Sequence, residues 1–189
     1  MRVIAGKYRS RRLHSSPGLD IRPTADRLRE TLFDVLTAGN LAALEGTVWI
    51  DLYAGTGAVG IEALSRGAGM VYFVEASSRV ADLVRKNLHS LEIEAGFRVL
   101  KQDSVPALKG LSANSVQADF VFLDPPYRME EAYSQTLSAL SDSNLLKPES
   151  RVIVEHQKKF DPGAQPASLE RYRLLPQGDA VLSFYRIRR

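Results

Sequence analysis

Short apolar runs that each lead into an acidic residue constrain this chain more than any other feature. Val48-Trp49-Ile50 leads to Asp51, Val71-Tyr72-Phe73-Val74 to Glu75, Phe97 to Leu100 towards Asp103, and Phe120-Val121-Phe122-Leu123 to Asp124. Between them lie stretches with helical spacing, Ile61 to Ser65 and then Val80, Leu83, Val84 and Leu88, the latter capped by Ser77 or Ser78. Apolar strands without alternation are buried on both faces, which predicts an α/β domain with a parallel sheet covered by helices on both sides. Ala132 to Leu140 reads as a further helix, Val152-Ile153-Val154 as a fifth strand and Val181 to Ile187 as a closing strand, with room for one more near Tyr172. In such sheets ligands bind beyond the carboxyl ends of the strands. The acidic residues therefore stand where a ligand is expected.

Upstream of the first strand the pattern changes. The first ~20 residues alternate short apolar and basic pieces, consistent with a hairpin or an extended arm. Pro23 and the potential N-cap Thr24 then mark a helix start, followed by Leu28, Leu32, Val35 and Leu36 at helical spacing. We divide the chain accordingly into a basic arm and helix, residues 1–45, and a main domain, residues 46–189. Net charge is only +3, yet Arg2, Lys7, Arg9, Arg11 and Arg12 all precede the first acidic residue, and Arg186, Arg188 and Arg189 close the chain. Such clusters suit a polyanion, or form a solvated surface.

Composition excludes several chemistries. The absence of cysteine rules out disulfides, thiolate zinc and a cysteine nucleophile. His14, His89 and His156 share no ligand spacing, so no metal is expected. No run approaches membrane-spanning length, and MRVIAGKYRSRR lacks the apolar segment of a secretory signal, which makes the cytoplasm the expected compartment.

The first strand runs into DLYAGTGAVG, in which Gly55, Gly57 and Gly60 satisfy the G-x-G-x-x-G spacing. Nicotinamide, flavin and adenosylmethionine proteins all bring the backbone close to a ligand at such a turn. Asp51 separates them. A pyrophosphate docks at a helix N-terminus because that end is positive, and a carboxylate beside it would oppose binding. S-adenosyl-L-methionine carries no phosphate and brings a sulfonium and an ammonium, so an acidic residue helps. Glu75 is placed for ribose hydroxyls. Asp103 is placed for the adenine amino group, with the Ser104 amide nearby for a ring nitrogen, although Asp103 also fits a helix cap.

Asp124-Pro125-Pro126-Tyr127 is the most unusual stretch. Proline lacks an N–H and restrains the residue before it to extended conformations, so this corner offers oxygens and almost no donors. It complements a group with two hydrogens to give, an exocyclic NH2. Tyr127 adds a flat face for stacking a base. A base amino nitrogen is a poor nucleophile because its lone pair is delocalised. The Asp124 carboxylate and the Pro125 carbonyl can hold its hydrogens and aim the lone pair at a methyl group.

In order and kind, DLYAGTG, Glu75, Asp103 and DPPY resemble the class I adenosylmethionine-dependent amino-methyltransferases. With MRVIAGKYRSRRL and IRPTADRLRETLFDVL, the chain resembles the RsmD family, which methylates the N2 amino group of a guanine in 16S ribosomal RNA. The resemblance covers nearly the whole chain. It implies a single Rossmann-like domain with a seven-stranded, mostly parallel sheet whose last strand is antiparallel. It also implies cofactor contacts at Asp51, Gly55, Gly57, Glu75 and Asp103, and catalysis at Asp124, Pro125, Pro126 and Tyr127. The implied substrate is 16S rRNA in a small-subunit assembly intermediate, with ribosomal proteins as further partners; independently of the resemblance, the enzyme is expected to be a monomer. Under this reading Arg2, Lys7, Arg9, Arg11 and Arg12, with Arg22 and Arg27, hold RNA phosphates. The residues leave three alternatives open: an adenine-N6 methyltransferase of DNA or RNA, a nicotinamide-dependent oxidoreductase, and a ribosome-assembly binding module. The segment from His156 to Asp179 carries no motif.

Overall fold

A computed structural model describes residues 1–15 and 26–188. The expected helix start at Pro23 and Thr24, and Arg22 with it, lie outside the described residues. The helices are α1 (Asp26–Thr37), α2 (Ala58–Ser65), α3 (Ser78–Ser90), α4 (Ser104–Ala113) and α5 (Glu130–Ser141). The strands are β1 (Val48–Leu52), β2 (Met70–Val74), β3 (Phe97–Leu100), β4 (Ala118–Leu123), β5 (Leu146–Gln157), β6 (Leu169–Gln177) and β7 (Ala180–Ile187). They form one seven-stranded sheet in the order β3-β2-β1-β4-β5-β7-β6. The strands from β3 across to β5 are parallel, and β7 is antiparallel to both of its neighbours.

Alternating residues of each strand enter two different cores, which is why the strand sequences read as continuously apolar. Trp49, Phe120, Phe122 and Phe184 pack with Leu28, Leu32 and Phe33 of α1 and with residues of α2 and α3. Ile50, Leu52, Val121 and Leu123 pack instead against Leu108 and Leu111 of α4 and Tyr133, Leu137 and Leu140 of α5. Phe33 and Phe120 both stack on Trp49, with centroids 5.4 and 4.6 Å away.

One element escaped the periodicity. Helix α4 contains Pro106 and Gly110 and lies in a serine-rich stretch, so it reads as a loop. The proline is tolerated because it occupies the first turn, where an N–H has no partner within the helix. Strand β6 forms where one more strand was expected, around Tyr172; it lies in the polar segment without a motif and is an outer strand of the sheet, with most of its side chains outside the core.

The basic arm folds back as a hairpin. An antiparallel bridge joins Arg2 to Arg12, and the Val3 N–H reaches the Arg11 carbonyl at 2.9 Å. Val3 and Leu13 are buried in the same core as β1. Glu62 of α2, fully buried, accepts hydrogen bonds from the Ile4 and Ala5 amides at 2.7 and 2.9 Å and an ion pair from Arg66 at 2.8 Å.

Candidate active site

The chain reverses its direction of travel across the sheet between β1 and β4, so the switch point lies at their carboxyl ends. In register, Leu52 lies between Val74 and Leu123. Glu75 and Asp124 therefore leave their strands on either side of the β1–α2 loop. A cavity of about 610 Å³ opens there, lined by Asp51, Gly55, Glu75 and Asp103 together with the whole Asp124-Pro125-Pro126-Tyr127 corner. Four acidic residues predicted from four separate strand ends thus meet in one space of nucleoside size.

The structure shows what holds each in place. Asp51 is 2% exposed, and its Oδ2 accepts the Gly60 N–H at 2.9 Å. That amide belongs to the first turn of α2, whose cap position, Gly57, has no side chain to offer. Asp51 thus caps the helix from the end of β1. Burial pushes its carboxyl up to about 7, the Gly60 hydrogen bond opposes the shift, and Glu75 adds to it. Glu75 is also shifted upwards by burial, against the hydrogen bonds that it accepts from Ser77 at 2.9 Å and Gly55 at 3.2 Å. Each carboxylate keeps lone pairs for a ligand.

The glycines divide their labour. Gly55 lines the cavity. Gly57 has φ +78° and faces the interior, where an added Cβ would lie 3.1 Å from Val84. Gly60 sets the distance between helix and sheet: a Cβ there would come within 2.3 Å of the Phe73 ring.

Two predicted cofactor residues, Gly57 and Ser104, do not line the cavity. The Ser104 hydroxyl turns inward to Tyr53 at 2.7 Å and Thr136 at 3.2 Å. Asp103 is the cap residue of α4, yet its side chain makes no capping hydrogen bond. The Pro125 carbonyl accepts a long hydrogen bond, 3.5 Å, from the buried Tyr133 hydroxyl, and a carbonyl oxygen has a second lone pair.

As residues of the wall, Thr56, Val59, Val80, Arg128 and Met129 carried no signal in the sequence, and Tyr53 carried a weak one. Tyr53 adopts φ +59°, a left-handed conformation unusual for a bulky residue, and its hydroxyl is held by Ser104 and Thr136. Only its position between Asp51 and Gly55 was a signal. Arg128 and Met129 follow the proline corner directly, and the Met129 side chain is solvent-exposed at the rim.

The basic residues Arg2, Lys7, Arg9, Arg11, Arg12 and Arg27 are all exposed. The hairpin that carries the first five is joined to the cavity wall through Asn87 of α3, fully buried. Asn87 Oδ1 accepts the His14 N–H at 2.7 Å, and its Nδ2 donates to the carbonyls of His14 at 3.1 Å and Thr56 at 2.8 Å. Among the described residues no cluster of His, Asp and Glu has the form of a metal site, and no helix is long and apolar enough to cross a membrane.

Known proteins are similar to this chain. The chain is 38% identical over 159 residues to the ribosomal RNA small subunit methyltransferase D of Haemophilus influenzae, covering 84% of this chain and 79% of that one. It is 33% identical over 187 residues to the protein of the same name from Escherichia coli strain K12, covering 98% and 89%. The solved structure of the Escherichia coli protein yhhF superposes with a TM-score of 0.80 at 28% identity, covering 100% and 98%. The family model described as conserved hypothetical protein 95 matches residues 1–186, and with these relatives it establishes that the chain belongs to the RsmD family.

Proposed function

We propose that this chain transfers the methyl group of S-adenosyl-L-methionine to the exocyclic N2 amino group of a guanine in 16S ribosomal RNA. One observation carries the reading: a proline-locked, donor-poor corner opens onto the same cavity as three acidic strand ends. A site for a pyrophosphate would not place carboxylates at Asp51 and Glu75 beside the α2 N-terminus. The residues fit an adenosyl cofactor with cationic groups. Asp51 faces its positive end, Glu75 the ribose hydroxyls, and Asp103, whose carboxylate is not consumed by its own helix, the adenine amino group. When bound, the cofactor supplies an electrophilic methyl on a sulfonium.

The remaining work belongs to the protein. The Asp124 carboxylate and the free lone pair of the Pro125 carbonyl hold the two hydrogens of the amine, which turns its nitrogen lone pair towards the cavity. Pro126 keeps the corner rigid, and Tyr127 gives a face on which the splayed base stacks, worth roughly 1–3 kcal/mol. As positive charge develops on nitrogen, Asp124 stabilises it. The exposed residues of the hairpin, with Arg22 and Arg27, hold phosphates while the base leaves its stack. The same reading places the enzyme in the cytoplasm as a monomer, acting on a small-subunit assembly intermediate that includes ribosomal proteins.

Methyl-labelled cofactor, 16S rRNA and small-subunit particles from cells lacking this chain provide the test. Digestion of the product is expected to yield N2-methylguanosine. Recovery of N6-methyladenosine would overturn the base assignment, and absence of transfer to either RNA would overturn the reaction.

A further inference from the structure

The arginines of the distal sheet edge take no part in the cavity. The outer strand β6 carries a β-bulge there: Arg171 faces Tyr185 and Arg173 faces Phe184, so Tyr172 is the extra residue. A bulge breaks the alternation of side chains and re-aims the inserted one. Tyr172, 40% exposed, is 6.2 Å from the buried Phe184 ring, centroid to centroid. The Arg173 guanidinium is 5.9 Å from that same ring, so two consecutive residues serve one face of the sheet. Arg186 stands 5.7 Å from the Tyr172 ring. Arg151 lies two residues before Ile153, the partner of Phe184, and its charge also acts on Tyr172.

All three arginines are exposed. Arg186 is paired with Glu170 at 2.7 Å. Among the described residues no acidic side chain pairs with Arg151 or Arg173.

We propose that this bulged edge is a second RNA-contact surface, in which Arg151 and Arg173 hold phosphates and Tyr172 stacks on an unpaired base. The inference rests on the RNA methyltransferase reading above and extends its footprint. Protection of an outer strand from unwanted pairing requires a charge or a bulge, and neither purpose calls for an exposed aromatic plane. Guanidiniums grouped around such a plane match the two faces of single-stranded RNA, its phosphates and its bases. The surface is also reachable from the cavity. Gln177, at the end of β6, approaches the Arg27 carbonyl at 3.5 Å on the cavity edge of the sheet. Tyr172 lies five residues earlier, roughly 17 Å along the strand. RNA that meets both the cavity and Tyr172 must run along the outer edge of the sheet.

The test compares wild type with the double variant Arg151→Gln/Arg173→Gln. Binding and methylation are measured on naked 16S rRNA and on small-subunit particles over a range of salt, with calorimetric cofactor binding as the check on folding. Expected for both RNAs are a KM about tenfold higher at unchanged kcat and a salt slope shallower by about 1.5, with cofactor affinity unaltered. Tyr172→Leu should weaken binding several-fold and Tyr172→Phe should not. Wild-type affinity and salt slope in the double variant would overturn the proposal. Loss confined to particles, with naked rRNA unaffected, would assign the surface to a protein partner and overturn it as well. Self-association of the double variant with undiminished RNA affinity would make the arginines edge guards only, again against the proposal. A wild type that binds RNA through these arginines yet transfers no methyl group would keep this surface and remove the reaction.

Discussion

Replacing Asn87 by alanine tests whether the basic hairpin and the cofactor loop are held as one unit. The side chain is fully buried and makes three hydrogen bonds, with the His14 N–H, the His14 carbonyl and the Thr56 carbonyl. Truncation leaves one donor and two acceptors without a partner. The Thr56 contact is buried, so losing it costs about 1–3 kcal/mol. The two contacts with His14 are partly buried and open to water, which limits the loss to about 0.5–1 kcal/mol each. Alanine returns a few tenths of a kcal/mol, roughly 0.5, through its better helix propensity in α3. The sum is a destabilisation of about 1.5–4.5 kcal/mol, which lowers Tm by roughly 3–18 °C in a chain of this size. Calorimetric unfolding measures the Tm. Hydrogen exchange should show faster exchange of the His14 amide, and cofactor affinity should fall because Thr56 is part of the cavity wall. A variant that melts within about 1 °C of wild type and binds cofactor normally would refute the coupling.

Four further outcomes follow from the same geometry. Asp124→Asn should bind cofactor as wild type does and lose about 10²–10³ in kcat, measured under single-turnover conditions; near-normal turnover would remove Asp124 from the chemistry. Asp51, with its carboxyl pushed up to about 7, ionises as pH rises from about 6 to 8. A cationic ligand favours the ionised form, so cofactor affinity should climb across that window and the climb should vanish in Asp51→Asn. The folded state binds this proton more tightly than the unfolded chain, so the ligand-free protein should lose stability between pH 4 and 7 from this group. Urea titrations at successive pH values would detect it. Finally, Glu62→Ala should cost about 3–5 kcal/mol, because it frees the Ile4 and Ala5 amides and leaves the fully buried Arg29, whose guanidinium lies 3.8 Å from Glu62, without that carboxylate. Equilibrium unfolding gives the value, and less than about 1 kcal/mol would contradict the anchoring.

Much of this molecule is legible residue by residue. The buried strands announced themselves because Trp49-Ile50 and Phe120-Val121-Phe122-Leu123 feed two cores at once and so cannot alternate. The strand-end residues Asp51, Glu75, Asp103 and Asp124 were visible for the same reason, since each interrupts or closes an apolar run. The proline corner was visible because its covalent chemistry alone removes donors and fixes the backbone. Helix α4 was hidden, as Pro106 and Gly110 are loop signals whose meaning depends on where in a turn they fall.

Local patterns, then, fixed which residues end up at the carboxyl edge of the sheet, because periodicity and turn chemistry act over a few neighbours in the chain. Only the packed structure decided what each side chain does there. The Asp51 carboxylate was captured by an amide nine residues on, Ser104 turned inward to Tyr53 and Thr136, and Asn87 joined His14 to Thr56. Those choices depend on distances between segments far apart in sequence and on which buried polar atoms would otherwise lack partners. A buried donor or acceptor must be satisfied by whatever the fold brings near it, and that neighbour is absent from any window of the sequence.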